Sequence, residues 1–114
     1  MPCHARRLGL AAFDGTSIWV ANETSGSVWR INPTNNIVTA KVSVGSALAG
    51  VAFDGINIWV THGLRSVSKI NRTNNTVTAT VSVGAGGDTI GVAFDGINIW
   101  VANRRFGTVS KIWI

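Results

Sequence analysis

Acidic side chains are scarce in this 114-residue chain. Five Asp and Glu stand against ten Lys and Arg, for a formal charge of +5. An excess of this sign suits an anionic partner such as nucleic acid, an acidic glycan or lipid headgroups. The basic residues do not gather into a run, and no aromatic-basic RNA-binding motif occurs, so nucleic acid is not expected as a partner. Cysteine occurs once, at Cys3, which excludes an intrachain disulfide. No apolar run approaches the ~18 residues of a spanning helix, so no membrane role is expected. The opening MPCHARRLGLAAF has two arginines but no long apolar stretch and no small-residue cleavage site, and it does not read as a signal peptide. The only histidines, His4 and His62, lie far apart. Metal-ligand spacings such as HxH or CxxC are missing, as are a phosphate loop and a nucleophile elbow. The Gly-rich residues 84–87 stand between two strand-like segments and offer no helix N-terminus to a phosphate. No metal, no cofactor and no catalytic residue is therefore expected.

What is present is a repeat. AAFDGTSIWV begins at Ala11, and VAFDGINIWV begins at Val51 and again at Val92, in steps of 40 and 41 residues. Between these blocks lie INPTNNIVTAKVSVG, from Ile31, and INRTNNTVTATVSVG, from Ile70. In the second copy, strands are predicted over 50–53, 57–61, 67–70 and 76–83. Asp54-Gly55 separates the first pair as a hairpin turn, because Gly tolerates positive φ. Asn71-Arg72-Thr73-Asn74-Asn75 separates the last pair, since Asn and Thr side chains bond their own backbone in turns. Ile58-Trp59-Val60 is apolar without alternation and should be buried on both faces. Residues 76–83 alternate throughout, which marks a strand with one wetter face. Sheets graded from a buried inner strand to a half-exposed outer one, repeated in tandem, are β-propeller blades. The predicted fold class is thus all-β: blades of four antiparallel strands, two of them full (8–44 and 48–83) and a third (89–114) without its outer strand, in one repeat domain over 1–114. Trp19, Trp59 and Trp100 recur at one position and are expected between neighbouring blades, with Phe53 and Phe94. Asp14, Asp54 and Asp95 are expected to be structural turn residues.

The stretch GVAFDGINIWVTH…SVSKINRTNNTVTATVSVG resembles the YVTN-type β-propeller repeats, and more distantly the NHL-type repeats and streptogramin lyase-like propellers. The resemblance covers nearly everything after Leu8. Here IWVAN or IWVTH stands for the YVTN core: Ala21-Asn22 and Ala102-Asn103 keep its ending, and Thr61-His62 departs from it. The resemblance implies a bacterial protein of the periplasm or the extracellular space. Lyases of this type are metal-assisted and use His and Glu, but no catalytic residue carries over to His62 or Glu23. The function expected is a non-enzymatic binding or scaffold module. The alternatives are a propeller-type lyase or lactonase-like enzyme, and a fragment of a larger propeller protein.

Comparing the copies with one another locates a candidate site. The turns at one end of the blades are uniform: Asp-Gly each time, then Asn-x-Thr-Asn-Asn. The other end varies in its hairpins (22–27, 62–66 and 103–107) and in its links (45–49 and 84–89). Variation on a constant scaffold marks a recognition surface. That end carries His62, Arg65, Arg104 and Arg105, with Glu23 and Asp88 in its other loops leaving it mildly basic, and an anionic small molecule or glycan is the ligand expected there. A second partner is expected to be the chain itself, as a homodimer closing one six-bladed ring. Met1 to His4 would stand near the missing outer strand of the partner copy and latch it.

Overall fold

The computed structural model describes residues 8–23, 25–63, 66–83, 89–103 and 107–113. Eleven strands occur among them. The first sheet holds β1 (Leu8–Phe13), β2 (Ile18–Asn22), β3 (Ser27–Asn32) and β4 (Ile37–Ser43). The second holds β5 (Val51–Phe53), β6 (Asn57–His62), β7 (Ser66–Asn71) and β8 (Thr76–Ser82). The third holds β9 (Thr89–Phe94), β10 (Asn98–Asn103) and β11 (Thr108–Trp113). Each sheet is an antiparallel meander in sequence order. Neighbouring sheets meet through their first strands, β1 beside β5 and β5 beside β9. These are blades of a β-propeller, two with four strands and one with three.

The local chemistry follows the expected turns. Gly15, Gly55 and Gly96 each take φ near +100° after the turn aspartate, a conformation that a Cβ would oppose. In the Asn-x-Thr-Asn-Asn turns Asn36 and Asn75 take φ of 61° and 59°, which Asn tolerates best among side-chain-bearing residues. Between third and fourth strands each full blade has a β-bulge. Lys69 faces Ala79, the next pair is Ile70 with Val77, and Thr78 is the extra residue. Its hydroxyl bonds the Lys69 carbonyl at 3.3 Å, and Thr39 does the same to Arg30 in the first blade. The regular alternation read in residues 76–83 is broken at this point.

Burial grades outward as expected. Ile58, Trp59 and Val60 are all buried, while β8 is mostly exposed. Two apolar clusters fill the two junctions between blades. One joins Trp19, Ala21, Val28 and Val42 of the first blade to Val51, Ile58, Val60 and Ile70 of the second, with Phe53 against it. The other joins Trp59, Val67 and Val83 to Ile99 and Val101 of the third, with Val92 and Phe94 against it. Each blade thus has a forward face, bearing its tryptophan, and a backward face, bearing its phenylalanine. Trp100 corrects the expectation of burial: it is 38% exposed, against 3% for Trp59. It lies on the forward face of the third blade, against which none of the described residues of another blade packs. Phe13, on the backward face of the first blade, is 56% exposed for the same reason.

Candidate functional site

The meander places the two kinds of turn at opposite ends. The β5–β6 turn at Asp54 and the β7–β8 turn close one end, and His62 terminates β6 at the other.

At the His62 end, the first hairpin, the link and the second hairpin are joined. The Gly26 carbonyl accepts bonds from the amides of Val44 (3.0 Å) and Gly45 (3.1 Å). Gly63 donates its amide to the Ser46 carbonyl at 2.8 Å. Gly50 donates to the Thr61 hydroxyl at 2.7 Å, and Ala49 to the Thr61 carbonyl at 3.0 Å. A Cβ on Gly26 would lie 2.8 Å from the Gly45 carbonyl oxygen, and Gly26 also has φ +67°, so this close approach needs glycine.

His62 is not a solvated loop tip. Its ring is half-buried and turns along the backward face of its blade. Nε2 shares a 2.6 Å hydrogen bond with the Ser68 hydroxyl, which shares one of 2.8 Å with Thr80. Its Nδ1 edge lies against Gly45 of the link. Burial holds its pKa below the usual 6.5, so the ring adds no positive charge near neutral pH. Arg65, Arg104 and Arg105 lie outside the described residues. The structure therefore places one of the four predicted site residues, at the expected end, and gives it a packing role at the junction of the first two blades. Its counterparts Asn22 and Asn103 are buried too. Comparing these three positions is the sequence signal for an inward side chain.

The opposite end carries what the sequence reading missed. Asp14 Oδ1 accepts from the amides of Thr16 (2.9 Å) and Ser17 (2.7 Å), and its Oδ2 accepts from the Trp19 indole at 2.9 Å. Asp54 does the same with Ile56, Asn57 and Trp59, and Asp95 with Ile97, Asn98 and Trp100. A cation then covers each ring from the paired position on the next strand: Arg30 on Trp19, Lys69 on Trp59, Lys111 on Trp100, at 5.0, 5.7 and 5.4 Å from the ring centres. The spacing Asp-x4-Trp, three times over, was the available signal. Between the first two blades this layer becomes a clamp. Arg30 donates to the Arg72 carbonyl (2.7 Å) and Asn75 Oδ1 (3.0 Å), while Arg72 stacks on Phe53 and reaches Asp14 at 3.5 Å.

Burial raises the Asp14 carboxyl, but the bonds from Trp19, Ser17 and Thr16 outweigh it and hold the pKa at about 2. Asp95 is lowered by its bonds from Asn98, Trp100 and Ile97. Among the described residues no three His, Cys, Asp or Glu side chains come together as metal ligands, and no helix is long and apolar enough to cross a membrane.

These shifts give a signed pH dependence. The His62 contribution is complete above pH 6.5 and is lost as pH falls toward the lowered folded value, because only the unfolded chain takes up the proton. The Asp14 contribution is present above pH 3.8 and is lost as pH falls through about 2. Urea unfolding from pH 8 to 2.5 should show both losses, and His62→Gln should remove the upper one alone. A midpoint flat from pH 7 to 5 in the unaltered chain would exclude the His62 assignment.

With blades, tryptophan locks and junction clusters in place, the fold is that of a β-propeller. No family profile matches the sequence, and no curated protein matches it. Solved structures do. The chain is similar over its full length to U3-55K, with TM-score 0.88 and 20% identity, covering 36% of that chain. It is similar to the WD40 repeats of RRP9 over 95% of its length (TM-score 0.82, 18% identity), again covering 36% of that chain. BamB from Moraxella catarrhalis matches over 91%, with TM-score 0.79 and 12% identity, and 30% of its chain is covered. At these identities the likeness concerns the fold, and the chain spans about a third of each of these proteins.

Proposed function

We propose that the chain is a non-enzymatic binding or scaffold module of the propeller class. Its repeats are of the YVTN type, and it takes an anionic small molecule or glycan at the end where hairpins and links vary. The observation that carries this reading is the division of labour between the two ends. At the uniform end the aspartates and Arg30 and Arg72 are engaged in holding turns and tryptophans. The variable end has three hairpins of different sequence on one frame, which is where recognition residues gather on repeat scaffolds. Arg65, Arg104 and Arg105 belong to those hairpins by sequence, and guanidinium groups suit carboxylate, sulfate and phosphate. His62 contributes by holding the link in place rather than by charge. The same repeat resemblance supports a periplasmic or extracellular site of action.

Titration calorimetry with citrate and with a sulfated oligosaccharide tests the reading. Binding of at least one is expected, weakening as salt rises. Arg104→Ala with Arg105→Ala should cost about tenfold in affinity per arginine, and Lys41→Ala, on an outer strand, should cost nothing measurable. Binding undiminished in the double variant would remove this end as the site.

A further inference from the structure

We infer that the uniform end of the blades docks a protein partner, one that presents apolar side chains to Ile56 and Ile97 and a carboxylate to Arg72. The inference concerns the end opposite the ligand site, so the two readings fail separately.

At the tip of each Asp-Gly turn the fold uses the backbone and not the isoleucine side chain. Ile56 gives its amide to Asp54 Oδ1 at 2.8 Å, and its carbonyl accepts from Arg72 Nε at 3.1 Å. Ile97 gives its amide to Asp95 Oδ1 at 2.7 Å. Thr16 holds this place in the first blade, and besides its amide it gives its hydroxyl to Asp14 Oδ1, at 3.1 Å. A polar residue therefore serves the turn at least as well. Ile56 and Ile97 nevertheless stand 69% and 74% exposed. The blade that carries Ile56 is packed on both sides, so this exposure belongs to the end of the sheet and not to a bare blade face. Ile37 and Val77, near the starts of the two outer strands, are exposed at the same end. Apolar groups gathered on a water-facing surface mark interaction sites. Neighbouring sheets pack about 10 Å apart, which brings the two isoleucine tips within reach of one segment of a partner.

The charges beside the tips are lopsided. Arg72 reaches Asp14 at 3.5 Å, but the guanidinium side chain is 33% exposed and the carboxylate side chain 0%. Asp54 is buried too, its oxygens taken by the amides of Ile56 and Asn57 and by the Trp59 indole. Asp95 is exposed, with its oxygens in the same three kinds of bond. Next to Ile56, positive charge thus faces water while the neighbouring carboxylates face inward, and a carboxylate from outside is favoured there.

The surroundings favour a protein over a lipid surface. The turns over residues 32–36 and 71–75 are rich in Asn and Thr, and an apolar centre with a polar rim is the anatomy of a protein interface. Arg30 and Lys69 lie back over Trp19 and Trp59, unlike the projecting basic residues that hold a helix to anionic lipid. The aspartate–tryptophan bonds fix both tips in place, so a partner meets a surface already formed.

Selection of a displayed random peptide library on the immobilised full chain tests this. The recovered peptides are expected to combine Leu, Ile or Phe with Asp or Glu. The tightest of them, followed by fluorescence anisotropy, should bind more weakly as salt rises. It should lose about a hundredfold in affinity to Ile56→Thr with Ile97→Thr, and nothing to Lys41→Ala. Both isoleucine changes introduce the residue that the first blade already carries at this place, so the turns are expected to form. A library that yields no binder, peptides that are basic, or affinity kept in the double variant overturns the inference. Vesicles of phosphatidylcholine and phosphatidylserine are the second probe: sedimentation with them that the double variant loses would give the tips to a membrane and overturn a protein partner. Should the double variant not fold, methyl NMR shifts of Ile56 and Ile97 in the unaltered chain decide, and shifts that stay put when peptide is added overturn the site.

Discussion

Replacing Trp59 with alanine is expected to lower the unfolding free energy by about 3–5 kcal/mol. The indole is 3% exposed and belongs to the cluster that joins the second blade to the third. Its loss opens a cavity between two sheets, each held by its own ladders, and neither can slide in to fill it. It also removes the acceptor's partner at Asp54 and the ring beneath Lys69. For a domain of this size the loss is a large share of the total stability. The repeated sequence would suggest the same cost at Trp100, yet that residue is 38% exposed. Trp100→Ala should cost about 1–2 kcal/mol. Urea unfolding of the two variants side by side measures the difference, and equal losses would show that Trp59 gains nothing from the third blade.

Asp54→Ala is the second change of large effect, at about 2–4 kcal/mol. The carboxylate is nearly buried and satisfies three donors: the amides of Ile56 and Asn57 and the Trp59 indole. Alanine leaves the indole N–H inside the junction without an acceptor, and leaving a buried donor unmade costs more than its bond contributes. Asp54→Asn separates the parts. Its amide oxygen can still accept from the turn, but its NH2 group then faces the indole N–H, donor against donor, so the variant should fall between alanine and the unaltered chain. If Asp54→Asn unfolds like the unaltered chain, the indole bond contributes little and the turn is the whole effect. Asp95→Ala should be milder than Asp54→Ala, because the indole it releases on Trp100 is open to water.

These contrasts mark where the sequence could be read and where it could not. Turn chemistry is local, so Asp54-Gly55 and Asn71 to Asn75 announced their hairpins, and the strands between them start and stop within about a residue of expectation. Inner and outer strands were distinguishable because Ile58-Trp59-Val60 lacks the alternation of residues 76–83. Burial of Trp100 was misjudged because it belongs to the neighbouring blade and not to the tryptophan. The direction of His62 was hidden because its place in the hairpin suggested a tip, while its partner Ser68 stands across the sheet on β7. The Asp–Trp bond escaped notice because residues five apart meet only when the turn between them is tight and the strand then carries the indole back over it. The arginine hairpins of the candidate site were legible only as composition at one end of the blades.

The three aspartate–tryptophan–cation locks have a consequence for how such a chain changes over generations. Each lock is assembled from residues of a single copy, Asp95 with Trp100 and Lys111 as much as Asp14 with Trp19 and Arg30. A duplicated stretch of coding sequence therefore arrives with its own means of fixing its turn and its ring, and asks nothing new of its neighbours except a face to rest on. Unequal crossing-over between near-identical copies, such as those beginning at Val51 and Val92, would add or remove whole blades in single steps. The number of blades is then free to drift, while the chemistry inside each is inherited as a unit.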